Sequence, residues 1–260
     1  MAQDKPTPYA DVNSVLAELL AGMQAILGAK LVALYLYGSL VTGDFDHAVS
    51  DIDLLAATVS DIDDNEFLAL QTMHHDFALS HREWDDRIEV AYLSIEALKT
   101  FRTQVSQIAV ISPGEPFHFK EAGKDWLMNW YVVREKGAVL FGPSTHELIE
   151  PITTKELLQA VREHAIAWRE WVQRARTRKA QAYAILTACR ALYTLSNGES
   201  TSKKQAAEWA AKALPEWSAL IQSALVWRAT LHDEHVDHAV TLPETQRFVH
   251  AVLDLCENTP

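Results

Sequence analysis

Residues 35–55 read YLYGSLVTGDFDHAVSDIDLL, and the fold hangs on how this stretch is divided. A short β-rich run, LVALYLYGS (31–39), closes at Gly38 and reads as a buried strand; a second strand candidate, DIDLLAATV (51–59), opens on Asp51 and Asp53. A strand sends alternate side chains to one face, so these two aspartates project together, about 7 Å apart at their roots, with Ile52 turned away. Two carboxylates so placed suit one or two hard cations, which prefer oxygen ligands. A glycine at position 38 lets backbone N–H groups approach a phosphate with no Cβ in the way. Strand, Gly38-Ser39, short connection, then Asp-x-Asp on the next strand is a geometry for bringing a metal–triphosphate between two strands.

The tetrapeptide Ser-Asp-Ile-Asp recurs at 60–63, inside SDIDLLAATVSDIDD (50–64). Its second copy follows the apolar end of a strand and precedes the helical EFLALQ. Acids before and in the first turn of a helix are a capping signature. Asp61, Asp63 and Asp64 are therefore expected to cap, and Asp51 and Asp53 to bind metal. In-line displacement at phosphorus also needs a base or further metal ligand near the attacking hydroxyl. The run RIEVAYL (87–93) supplies Glu89 amid Ile88, Val90 and Tyr92, where an acid is otherwise awkward. Asp85 and Asp86 beside it read as solvated turn residues.

Working outward, the first hundred residues run helix (9–29), strand, turn, strand, helix (66–84), strand: a small α/β unit. Strand signals then fade. The segment 101–136 reads as a bridge, and the turn-rich GAVLFGPSTHELIEPIT (137–153) as a boundary. Beyond Thr154 the pattern is helical: 155–176, 180–196, 202–213, 216–232 and 243–257. The expected fold is of the α+β or α/β class, an N-terminal domain (1–150) with a small mixed sheet followed by an all-α bundle (151–260).

The net charge of −12 argues against a nucleic-acid partner, which needs a positive surface, and suits cations instead. Cys189 and Cys256 stand far apart without metal or disulfide spacing, which fits a reducing cytoplasm. The N-terminus lacks a signal-peptide core, and no membrane span is expected. HDEHVDH (232–238) spaces His232, His235 and His238 every third residue, read as a solvated helix end or loop rather than a metal site. His74, His75 and His81 read as surface or neutral buried histidines, and the tryptophans after Trp126 as bundle core.

YLYGSLVTGDFDHAVSDIDLL resembles the nucleotidyltransferase signature, and RIEV its third-carboxylate strand. LFGPSTHELIEPIT and CRALYTLSNGESTSKKQAAEWAAKALP are similar to the helical domain of the streptomycin/spectinomycin adenylyltransferases. The resemblance spans about residues 30 to 220. It implies that Asp51 and Asp53 bind magnesium, that Gly38, Ser39 and Ser50 meet the triphosphate, and that Glu89 is catalytic base, substrate contact and metal ligand. It also implies that Arg190 and Lys203 contact phosphates. Read without the resemblance, Lys203 is a solvated lysine. Members acting on streptomycin carry a Trp and acidic residues before the arginine-bearing helix. Here WREWVQRARTRKAQAY (168–183) carries Arg169, Arg174, Arg176, Arg178 and Lys179 against Glu170 alone, and Trp168 and Trp171 sit at core-like spacing. Streptomycin therefore does not follow from the resemblance.

The expected activity is magnesium-dependent adenylyl transfer from ATP, bound between the domains, to a hydroxyl of a cationic aminoglycoside or aminocyclitol. The expected form is a cytoplasmic monomer with neither nucleic-acid nor membrane partners. Another small metabolite, a protein side chain, or a degenerate nucleotide-sensing fold are the alternatives.

Overall fold

The computed structural model describes residues 5–230 and 237–258. The first unit is built on a six-stranded sheet of order β5-β4-β3-β2-β1-β6. In chain order its elements are α1 (Ala10–Leu27), β1 (Leu31–Tyr37), α2 (Ser39–Thr42), β2 (Ile52–Thr58), α3 (Asp64–Ser80), β3 (Ile88–Ser94), α4 (Ile95–Thr100), β4 (Ser106–Ser112), β5 (Glu115–Ala122), α5 (Leu127–Lys136), β6 (Ala138–Phe141) and α6 (Thr145–Leu148). The pair β2–β3 is parallel and the other four pairs are antiparallel, so the sheet is mixed. A parallel pair needs a crossover, and α3 supplies it.

The three central strands are apolar almost throughout, as strands covered on both faces must be. In β2 the half-buried residue is Asp53 and in β3 it is Glu89; every other residue of those strands is buried. Helix α1 buries Val12, Val15, Leu16, Leu19, Met23 and Leu27 along one stripe. Ala10–Lys30 is also long and apolar enough to cross a membrane by length and composition, contrary to the expectation that no such stretch exists. Its acids, Asp11 and Glu18, are too few to interrupt the window, but the buried stripe explains its apolarity without a bilayer.

Three strands escaped the sequence reading. β4 and β5 form a hairpin across Pro113-Gly114, with Gly114 at φ 80 as the third position of a type II turn requires. β5 is an edge strand with exposed Lys120 and Glu121, the charge that protects an edge and masks its pattern. β6, at the other edge, is four residues long and lies within the stretch read as boundary.

The second compact unit comprises residues 152–260 together with Asp44–Val49, a short segment from between β1 and β2. Its helices are α7 (Thr154–Trp171), α8 (Arg178–Asn197), α9 (Lys203–Ala213), α10 (Ser218–Ala229) and α11 (His238–Asn258). Thr153, Thr177 and Ser202 cap the first three. Helix α11 starts five residues before Pro243, which the sequence reading took as its start. Small residues let these helices approach closely: Ala182, Ala184, Ala188, Ala206, Ala207, Ala210 and Ala224 are all buried. Of this unit's described tryptophans only Trp168 is buried; Trp171 is 38% exposed and the rest lie partly at the surface, correcting the expectation of a tryptophan core.

Candidate active site

β1 and β2 pair with Tyr37 opposite Asp53, and β2 and β3 pair with Asp53 opposite Glu89. This register puts two acids side by side on one face of the sheet. Asp51, just before β2, joins them: one carboxylate oxygen from each of Asp51, Asp53 and Glu89 lies within 4.8 Å of the others. At such spacings each like-charged pair costs roughly 3–4 kcal/mol at an effective dielectric constant of 20. A divalent cation removes that cost, and an all-oxygen donor set is what magnesium takes. The residues present fit the ion.

Gly38 takes φ 71, and a Cβ placed there would fall 1.8 Å from Asp53 Oδ2. The glycine therefore makes room for the Asp53 carboxylate itself, a role beyond the open approach to phosphate expected from sequence. Ser39 follows, and its Oγ is buried without a hydrogen-bond partner. A buried orphan hydroxyl costs stability unless a ligand completes it, which fits a phosphate oxygen.

Ser50 is buried, and its carbonyl accepts from Arg87 Nε at 3.0 Å. Arg87 in turn lies 4.6 Å over the ring of buried Trp84, and its own carbonyl accepts from Ile52 N at 2.9 Å. Arg87 thus ties the entrance of β2 to that of β3 and fixes Asp51 between them. Tyr37 donates its hydroxyl to Glu89 Oε1 at 3.1 Å. Burial, then the charges of Glu89, Asp53 and Asp51, hold the Tyr37 hydroxyl well above its usual pKa, so it stays a donor. Sequence reasoning missed Tyr37, Trp84 and Arg87. Tyr37 could have been found by pairing the strands on either side of Gly38, which sets it opposite Asp53.

The second Ser-Asp-Ile-Asp does different work. Asp63 is the N-cap of α3, its Oδ1 accepting from Asn65 N and Glu66 N, each at 2.9 Å. Glu66 completes a capping box by accepting from Asp63 N at 2.9 Å. Asp64 lies in the first turn, and Asp61 lends its carbonyl to Lys30 Nζ.

Most of the remaining candidates lie in the helical unit. Arg190 is half-buried on α8, and its charge, after burial, helps push the pKa of His164 down. Lys203 opens α9 with its ammonium 4.2 Å above the ring of Tyr183, a cation–π contact rather than the solvated position read from sequence. Tyr183 also adjoins Trp168 and Trp171. Among the basic residues before α8, Arg169 is paired with Asp254 and Glu257. Of the histidine run, His232 and His235 lie outside the described residues; His238 Nδ1 accepts from Arg178 N at 3.0 Å. His74 is buried and bonded to Tyr92 at 2.7 Å, His75 is exposed, and His81 meets Glu18 at 2.9 Å.

A mixed sheet thus presents three converging carboxylates beside a Gly-Ser turn, and a second, helical unit accompanies it. Residues 147–254 match the family model "Aminoglycoside adenylyltransferase, C-terminal domain". The chain is also similar along most of its length to two curated aminoglycoside adenylyltransferases. It is 26% identical over 262 residues to the aminoglycoside (3'') (9) adenylyltransferase of Escherichia coli, covering 94% of each chain. To the enzyme of the same name from Shigella flexneri it is 26% identical, covering 79% of this chain and 80% of that one. Its fold is similar to that of spectinomycin adenyltransferase AAD(9) from Enterococcus faecialis, crystallised with ATP and spectinomycin. The TM-score is 0.76 at 16% identity, over 93% of this chain and 98% of that one.

Proposed function

We propose that this chain transfers the adenylyl group of ATP to a hydroxyl of an aminoglycoside or aminocyclitol, releasing pyrophosphate. The observation that carries the reading is the meeting of Asp51, Asp53 and Glu89 within 4.8 Å, beside a Gly38 that leaves Asp53 its space. The E. coli and Shigella relatives, named for this activity, support it.

Asp51 and Asp53, with Glu89, would hold magnesium, which supplies positive charge to the triphosphate and to the charge that develops on it. Ser39 and Ser50 contact phosphate oxygens, the former through its otherwise unpartnered Oγ. Arg190 and Lys203, which the resemblance assigns to phosphate contacts, would contribute positive charge to a phosphate. Glu89 accepts the proton of the drug hydroxyl while Tyr37 orients its carboxylate. The hydroxyl oxygen then bonds to the α-phosphorus as the bond to the bridging oxygen breaks, and pyrophosphate departs. A net charge of −12 favours encounter with a cationic acceptor. On this reading the protein works as a cytoplasmic monomer on small molecules, with no nucleic acid or membrane partner.

Pyrophosphate release with ATP and magnesium, across spectinomycin, streptomycin and other aminoglycosides, tests the proposal. Turnover is expected with at least one of them, and silence with all overturns the reading.

A further inference from the structure

We propose that Asp44 and Arg228 form a positioning pair that sets the affinity for ATP. The inference rests on the adenylyl-transfer reading above. Helix α9 begins with two lysines, Lys203 and Lys204, and has no acid in its first turn. Positive charge at a helix N-terminus opposes the helix dipole, so this start is unfavourable unless an anion lies near. Ser202 caps it in the usual way, accepting from Gln205 N at 3.1 Å. The missing anion comes from far along the chain: Asp44 Oδ2 accepts from Lys204 N at 3.2 Å.

That same oxygen accepts from Arg228 Nη1 at 2.9 Å, and Arg228 Nη2 reaches the Asp44 carbonyl at 3.4 Å. The Asp44 side chain is 9% exposed and that of Arg228 24%, so solvent screens this pair less than a surface ion pair. Arg228 binds Asp44 through both side chain and backbone, which fixes the carboxylate on the Lys204 N–H and balances its charge.

Location gives the pair its consequence. Asp44 follows Gly43, whose φ of 74 ends α2, the short helix that starts with Ser39. It also begins the segment that runs to Ser50 and Asp51, and this segment packs with the helical unit. One carboxylate therefore anchors both the connection between the phosphate-side serine and the metal-side aspartate, and the helix turn that carries Lys203. Loss of the anchor frees the connection that leads from Ser39 to Asp51, and with it the residues that the adenylyl-transfer reading assigns to the triphosphate, while the proton transfer at Glu89 is left intact.

The test uses the full chain, with ATP and magnesium and with spectinomycin or whichever acceptor supports turnover. D44A is expected to raise KM for ATP, and Kd for ATP by calorimetry, about tenfold, with kcat within about twofold. D44N keeps an oxygen acceptor for the Lys204 N–H, and its expected effect is about threefold. R228A should resemble D44A, and the double variant should be no worse than either single one, as coupled partners require. Unchanged ATP affinity in D44A beside a lowered melting temperature makes the pair a structural brace and overturns the proposal, as does a loss confined to kcat. If wild type itself neither binds ATP nor turns over, the adenylyl-transfer reading has failed and this inference with it. An active wild type with an indifferent D44A defeats the inference alone.

Discussion

Ser50-Asp51-Ile52-Asp53 and Ser60-Asp61-Ile62-Asp63 are one tetrapeptide at two ends of the same strand. At the entrance of β2 Asp53 lies opposite Tyr37 and Glu89 on the neighbouring strands, and Asp51 joins Asp53 and Glu89 within 4.8 Å. Past its exit the chain turns into α3, and Asp63 spends its carboxylate on the N–H groups of Asn65 and Glu66. The first copy gathers like charge that a bound cation would relieve; the second satisfies orphan backbone donors within its own turn. Side-chain chemistry is identical, and the neighbouring backbone decides its use.

Substitution can break this contrast. Asp51→Asn or Asp53→Asn should reduce turnover on the order of 10³-fold while leaving the melting temperature unchanged or raised, since repulsion is relieved. A variant that keeps full turnover would remove the metal role. Gly38→Ala forces a methyl to 1.8 Å from Asp53 Oδ2 at a backbone φ of 71. Activity should drop about 100-fold with a measurable loss of stability, read by kinetics and thermal melting together.

The helix that the second copy starts offers a pH test. His74 lies buried on α3, and burial lowers its pKa from 6.5 to about 4. The folded state resists its protonation, so the stability it contributes is complete above pH 6.5. It is lost as pH falls from 6.5 towards 4, by about 3 kcal/mol in all. His74→Leu should flatten that part of the stability profile in denaturant titrations, without altering turnover at neutral pH. An unchanged slope would show that other groups carry it. The smallest effect belongs to the cap: Asp63→Ala should cost about 1 kcal/mol of stability and leave kcat and KM alone.

Much of the site was legible because it is local in sequence. Gly38, Asp51, Asp53 and Glu89 sit at the ends of three strongly apolar strands, where an acid or a glycine stands out. β4 and the edge strands β5 and β6 were not legible: they are short, charged or partly exposed, which removes the hydrophobic signal that identifies a strand. Tyr37 and Arg87 were hidden for another reason. Tyr37 stands out only once β1 is paired with β2, and Arg87 acts through a backbone carbonyl at Ser50, which composition and spacing do not encode. Asp44 was hidden in the same way, since its partners lie 160 and 184 residues away.

On the proposed function, Asp51, Asp53 and Glu89 act as one catalytic cluster for adenylyl transfer. Mass spectrometry of spectinomycin after incubation with ATP, magnesium and either wild type or Glu89→Gln tests it directly. Drug bearing one added adenylyl group is expected with wild type and almost none with the variant. Equal product from both proteins would contradict it.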